Sequence, residues 1–272
     1  MEKKKVLFIS QEITPYLPES ELSKIGRNLP QGIQEQGKEI RTFMPRYGCI
    51  NERRNQLHEV IRLSGMNLVV NDADHPLIIK VASIQAARMQ VYFIDNEDYF
   101  QRKSTLVDKD GKEFEDNDER AIFFARGVLE TVIKLRWAPD VIHCQGWFTG
   151  LVAVFLKHMY KDNPLLADTK IVYSPFSTEF ETPLDVELKK KLMDDEIPES
   201  ALDHIENPTY VNYNKLVVDH VDGVIKGSEN INEELEEYIK ASGKPFLPFQ
   251  DEEKYVEEFN QFYDKFLLNS AE

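Results

Sequence analysis

The feature that most constrains this chain is its alternation of short apolar runs with stretches whose apolar residues recur at helical spacing. Val6–Ser10, VLFIS, is a nearly continuous apolar run and reads as a buried parallel strand. Leu22, Ile25, Leu29 and Ile33 then mark a helix, with Gly37 where it would stop and Pro30 predicting a kink or break inside it. Ile40–Met44 is a second strand. Leu68–Val70, Leu77–Val81 and Gln90–Ile94 also read as strands, with a turn at Asn71–Asp74, and predict a hairpin or meander inserted into the α/β order. Asp116–Glu119 opens a helix continued by Ile122, Phe123, Val128, Leu129, Val132 and Ile133. Val141–Cys144 is a strand, Leu151, Val154, Phe155 and Met159 a helix, Ile171–Tyr173 a strand, and Gly223–Lys226 the last strand. Asn230–Ala241 is an acidic helix closed by Gly243. Such alternation predicts an α/β, Rossmann-like fold: a mostly parallel sheet with helices on both faces and a small inserted β-hairpin.

A chain of 272 residues can bury a real core without staples. Its net charge of −15 speaks against nucleic acid and against anionic lipid as partners. The longest apolar run of note, Leu151–Leu156, falls far short of the ~18 residues a membrane helix needs. The opening Met1-Glu2-Lys3-Lys4-Lys5 passes straight into a strand too short for a signal-peptide core. Cys49 and Cys144 have no companion His/Cys pattern, so no zinc or other metal is expected, and two free thiols suit a cytoplasmic protein. Neither a Gly-x-Gly-x-x-Gly nor a Walker loop is present, and no cofactor is expected. Asp95, Glu97 and Asp98 read as a solvated acidic loop rather than a catalytic dyad.

The tail carries Tyr255, Val256, Phe259, Phe262, Tyr263, Phe266 and Leu267 on one helical face, after the extended Pro245-Phe246-Leu247-Pro248-Phe249. The division expected is a main unit over 1–245 and, over 246–272, an extended segment plus an amphipathic helix packed on that same unit. Acidic residues on its polar face speak against lipid.

Five stretches carry a specific resemblance, in order: VLFISQEITPY (6–16), LPQGIQEQGKEIRTFMPRYG (29–48), VYFIDNEDYFQR (91–102), DNDERAIFFARGVLE (116–130) and WAPDVIHCQGWFTGLVAVFLK (137–157). The chain resembles the N-terminal half of bacterial glycogen synthases and plant starch synthases, the ADP-glucose-dependent glucosyltransferases, over about residues 3–240. The resemblance implies one half of a GT-B fold that holds the glucan acceptor. Most of the nucleotide-sugar site then belongs to a C-terminal half expected beyond Glu272. An α-glucan, and a second protein supplying that C-terminal half, are the partners it implies.

The motifs that carry the family's chemistry depart from its pattern. The phosphate loop Lys-Thr-Gly-Gly-Leu falls on Pro18, Glu19, Ser20, Glu21 and Leu22. The lysine and both glycines are lost, so a point charge and close backbone approach to phosphate go with them. Two glutamates are gained, and Lys24 is the one cation nearby that could replace the lysine. The motif His-Cys-His-Asp-Trp-His-Thr falls on His143-Cys144-Gln145-Gly146-Trp147-Phe148-Thr149, and Thr-Ile-His-Asn on Ser174-Pro175-Phe176-Ser177. Gln145 can still donate and accept, whereas Gly146 and Phe148 replace neither carboxylate nor imidazole. His143, at the end of a buried strand, reads as a structural histidine.

Tyr16, Trp147, Phe148 and Phe176 are placed to gather at the carboxyl ends of neighbouring strands, where open α/β sheets bind ligands. Two readings of them stay open: a stacking platform for sugar rings, or an apolar plug in an abandoned cleft. The candidate ligand-binding set is therefore Tyr16, Pro18, Glu19, Ser20, Glu21, Lys24, His143, Gln145, Trp147, Phe148, Phe176 and Ser177, with no catalytic residue assigned. The expected function is a glycogen or starch synthase-like protein that is inactive alone and binds a glucan or a partner. The alternatives are a glucosyltransferase completed by a separate chain and a purely structural interaction protein.

Overall fold

The structure, a computed structural model, describes residues 3–268; Met1, Glu2 and the end of the tail at 269–272 lie outside the described residues. β1 (Lys5–Ser10), β2 (Glu39–Pro45), β7 (Val141–Gln145), β8 (Lys170–Ser174), β9 (Gly223–Ile225) and β10 (Phe246–Leu247) form the parallel part of one sheet together with β6 (Met89–Asp95). Across the sheet the strands run β10, β9, β8, β7, β1, β2, β6, β5 and β3, where β3 is His58–Glu59 and β5 is Ala73–Ile84. β5 lies antiparallel to β6 and to β4 (Met66–Val70), which makes the inserted hairpin. Its turn residues Asn71 and Asp72 both have positive φ (49° and 60°), the conformation that a two-residue hairpin of matching twist requires.

Alternate residues of each central strand face opposite layers. Leu7, Ile9, Ile142, Cys144, Ile171 and Tyr173 join the core formed with α3 (Asn117–Lys134), α4 (Leu151–Lys157), α6 (Tyr210–His220) and α7 (Glu233–Ala241). Val6, Phe8, Val141, Val172 and Ile225 pack instead beneath α1 (Glu21–Glu35) and α8 (Tyr255–Leu268). Two short helices complete the described set: α2 (Glu97–Phe100), capped by the Asn96 side chain, and α5 (Leu188–Asp194).

Several expectations change. Pro30 does not break α1, which runs through it; Pro30 is buried with Leu22, Leu29 and Ile33, and packing of that face on the sheet offsets the missing N–H. α4 stops at Lys157, before Met159. Asp95 is not solvated: it is 1% exposed, with Lys80 Nζ at 2.8 Å and Arg46 Nε at 3.6 Å. Phe246 and Leu247 pair with Val224 and Ile225 as the edge strand β10, so the tail extends the sheet before it forms α8. Neither α5 nor α6 was legible in the sequence pattern. Among the described residues no helix is long and apolar enough to cross a membrane.

α8 seals its face of the sheet with Tyr255, Phe259, Phe262 and Tyr263, all buried. Gly32 of α1 permits the approach, since a Cβ there would meet Val256 of α8 at 2.5 Å. Lys38 Nζ ties the far end to Asn260 Oδ1 (2.6 Å) and Asp264 Oδ1 (2.8 Å). Full burial of each large aromatic contributes about 1.5–3 kcal/mol. Phe262→Ala is therefore expected to lower the unfolding free energy by about 3–5 kcal/mol in urea titration, the range for buried Phe truncation; an effect near zero would mean that α8 is not part of the core.

Candidate functional site

From β1 the chain moves to β2 on one side, and β7 returns on the other. Between their carboxyl ends lies the switch point where open α/β sheets hold ligands. Ser10 and Gln145 are paired there, and the Gln11 N–H donates to the Gln145 carbonyl at 3.1 Å. Gly146 follows with φ +86°, a backbone that favours glycine. A Cβ on Gly146 would lie 2.8 Å from Leu22 Cδ1 and 2.9 Å from Gln11 Oε1, so these two side chains already fill the space above it. Gln11 Oε1 also accepts from the Phe148 N–H at 3.2 Å.

The amino end of α1 is likewise occupied by the chain's own groups. Ser20 and Ser23 form a capping box: Ser23 N–H donates to Ser20 Oγ at 3.0 Å, and Ser20 N–H to Ser23 Oγ at 2.8 Å. Ser20 Oγ in turn donates to Glu12 Oε2 at 2.7 Å, and Ser23 Oγ is 3.0 Å from the Pro18 carbonyl. The Ser228 hydroxyl donates to Glu21 Oε2 and accepts from the Ser177 N–H at 2.9 Å. One hydrogen-bonded chain thus joins the first turn of α1 to the loops after β8 and β9. Lys24 Nζ lies 3.5 Å from Glu19 Oε2 on the surface, so its charge faces a carboxylate. Glu19, Glu21 and Lys24 also line one wall of a groove of about 670 Å³, whose other wall is formed by residues of the tail.

The aromatic residues do not form an open platform. Tyr16 is 7% exposed, Trp147 3%, Phe148 0% and Phe176 3%. Tyr16 meets Phe93 edge-on at 4.9 Å, and burial pushes its hydroxyl up to about 12. Trp147 packs edge-to-face on Phe180 (4.7 Å) and Tyr213 (5.8 Å). Phe148 lies 5.7 Å from Phe124, in the layer of Tyr47 and Phe100. Phe176 fills the space over Gly227, where a Cβ would lie 2.7 Å from its ring, and its carbonyl accepts from Tyr210 Oη at 3.2 Å. Of the two readings of these rings, the apolar plug matches this packing, because all four are buried among the chain's own groups and leave no open face for a sugar.

His143 falls outside the crevice. It faces α8, fully buried, with Nδ1 2.7 Å from Tyr263 Oη and Nε2 2.8 Å from Ser174 Oγ. Burial lowers its pKa to about 3, so it is neutral at physiological pH and has no free ring nitrogen. Gln145 is also fully buried, and its amide has no hydrogen-bond partner among the described residues. The structure therefore brings together Ser20, Glu21 and Ser177, places Pro18, Glu19 and Lys24 at their outer rim, and removes His143 to the opposite layer.

Sequence reasoning missed Gln11, Ser228 and Arg120. Arg120 is fully buried and holds the loop before α3: Nε donates to the Tyr99 carbonyl at 2.8 Å, Nη1 to Asn117 Oδ1 at 2.6 Å and Nη2 to the Thr105 carbonyl at 2.9 Å. Burial lowers its pKa to about 10, which leaves it charged at neutral pH. Ser228 follows the last predicted strand, and its place at a strand's carboxyl end was the available signal.

Residues 5–244 match the family model described as the starch synthase catalytic domain. The chain belongs to that family. A glycogen synthase of Chlorobium limicola is 37% identical over 194 residues, which cover 71% of this chain and 40% of the relative. One from Pelodictyon phaeoclathratiforme is 34% identical over 232 residues, 85% of this chain and 47% of the relative. The chain thus spans less than half the length of these curated relatives. The solved catalytic domain of starch synthase IV from Arabidopsis thaliana, bound to ADP and acarbose, matches with a TM-score of 0.75 at 18% identity. That match covers 92% of this chain and 52% of the plant one, and it shows the shared GT-B-type half. Family membership accounts for the α/β frame, whereas the crevice contacts above belong to this chain's own residues.

His143 supplies a pH test. Its folded pKa lies below the free imidazole's ~6.5. The stability contributed by the neutral ring is complete above pH ~6.5 and is lost as pH falls from there toward 3. At about 1.36 kcal/mol per pH unit, this group removes about 2 kcal/mol between pH 6.5 and 5. Nitrogen-15 NMR at pH 5 is expected to show His143 neutral; a protonated ring at that pH would contradict the lowering of its pKa by burial.

Proposed function

We propose that this chain is a glycogen or starch synthase-type module that does not bind ADP-glucose and does not transfer glucose by itself, and that it serves glycogen metabolism by holding a glucan or a protein partner. The observation that carries this reading is the Glu21–Ser228–Ser177 chain. By the family resemblance, the donor's phosphates belong beside the loop at Pro18–Leu22. There Glu21 already takes the Ser228 hydroxyl, and Ser20 and Ser23 satisfy each other's backbone. A phosphate entering beside Glu19 and Glu21 meets like charge, at about 1–4 kcal/mol per pair at 4 Å. Glucosyl transfer needs donor phosphate, acceptor hydroxyl and electrostatic support held in one geometry. None of the four departing residues at the loop, Pro18, Glu19, Ser20 and Glu21, supplies a cation or an open backbone cradle.

A glucosyltransferase completed by a second chain remains the competing reading, motivated by relatives of which the matched segments cover only 40% and 47%. Calorimetric titration with ADP-glucose separates the two, and titration with maltoheptaose tests the glucan side. No heat with ADP-glucose, with or without maltoheptaose present, is the expected result. Saturable donor binding at millimolar concentration or below would overturn the proposal. Donor-dependent glucan extension by a complex with a co-purifying C-terminal-type chain would establish the competitor.

A further inference from the structure

Between β10 and α8 the chain crosses beside α1 as a strap, residues 248–254. The strap lies past residue 244, where the family match ends, whereas α1 lies within that match. That groove holds about 670 Å³, within the range of small-molecule sites. Glu21, Lys24, Arg27 and Asn28 line it from α1, and Phe249 and Glu252 from the strap.

The chemistry of these residues selects a ligand class. Arg27 is half-buried, and its Nε is buried without a hydrogen-bond partner among the described residues. Lys24 is answered by Glu19, whereas Glu252 is exposed on the opposite wall. An anion meets Glu21 and Glu252, and a cation meets Arg27 and Lys24, so either charge is opposed within the groove. An apolar molecule would cover charged groups without pairing them. A neutral polyhydroxylated molecule suits both signs, because each hydroxyl donates to a carboxylate and accepts from a guanidinium or amide. Phe249 is half-buried and offers an apolar ring in the same groove for the C–H face of a sugar.

We propose that the groove between α1 and the strap is a binding site for a short neutral oligosaccharide, with Arg27 and Glu252 as its polar contacts and Phe249 as its stacking surface. This rests on the glucan-holding side of the proposed function, and it moves the glucan from the filled strand-end crevice to the strap. The test is calorimetric titration of the full chain and of Arg27→Ala, Phe249→Ala and Glu252→Gln with maltoheptaose. ADP-glucose is titrated as a separate arm, and circular dichroism melting checks that each variant is folded. Glu252 is exposed, so Glu252→Gln remains informative if a half-buried variant fails to fold. The expected result is maltoheptaose binding that each folded variant weakens by about tenfold. Binding that survives unchanged in the folded variants overturns the groove and leaves the glucan-holding reading standing. Absence of maltoheptaose binding overturns both. Donor binding overturns the claim that the chain does not bind ADP-glucose, and the groove is still decided by the maltoheptaose arm.

Discussion

The pairing of β1 between β2 and β7 is the constraint on which the rest of the molecule depends. Val6, Leu7, Phe8 and Ile9 are fully buried, with parallel neighbours on both sides. Because a strand's side chains alternate, this one segment feeds both core layers. Because the chain leaves toward β2 and returns at β7, the loops at their carboxyl ends must diverge around a crevice. Gln11, Gly146 and the amino end of α1 meet there for that reason.

What occupies the crevice follows from groups within bonding reach. A backbone N–H at a strand end needs an acceptor, and here Gln11 supplies it to Phe148. The first turn of a helix needs acceptors too, and Ser20 with Ser23 provide them. Glu21 stands in that first turn, where the helix dipole favours negative charge, and it reaches across to Ser228. Each bond uses up a donor that an anionic ligand would otherwise take, and each adds a tie between loops.

The opposite layer is finished by the tail. α8 presents Phe259, Phe262 and Tyr263 to the sheet, and Tyr263 bonds His143 on the strand beneath. A histidine that family resemblance draws toward chemistry is thereby enclosed as a neutral structural group. The route from β10 to α8 also obliges the chain to pass beside α1, and the strap groove exists because of that crossing. The sealing of one face and the opening of a new groove are consequences of the same segment.

Much of the fold was written in local pattern. The runs at Val6–Ser10, Val141–Cys144 and Ile171–Tyr173, the turn at Asn71–Asp74 and the aromatic stripe of the tail each announce an element, because burial enforces periodicity of 2.0 or 3.6. The lost lysine and glycines of the phosphate loop were equally visible as residue types. Long-range geometry was not. That Glu21 meets Ser228, 207 residues away, that Gln11 reaches Phe148, and that His143 lies under Tyr263 rather than in the crevice depend on which strands are neighbours. The same holds for the four aromatic rings: the sequence placed them at strand ends, but only packing decided that they are buried. Side-chain type and local period are properties of a segment, whereas partner and exposure are properties of the whole arrangement, and a binding site is made of the latter.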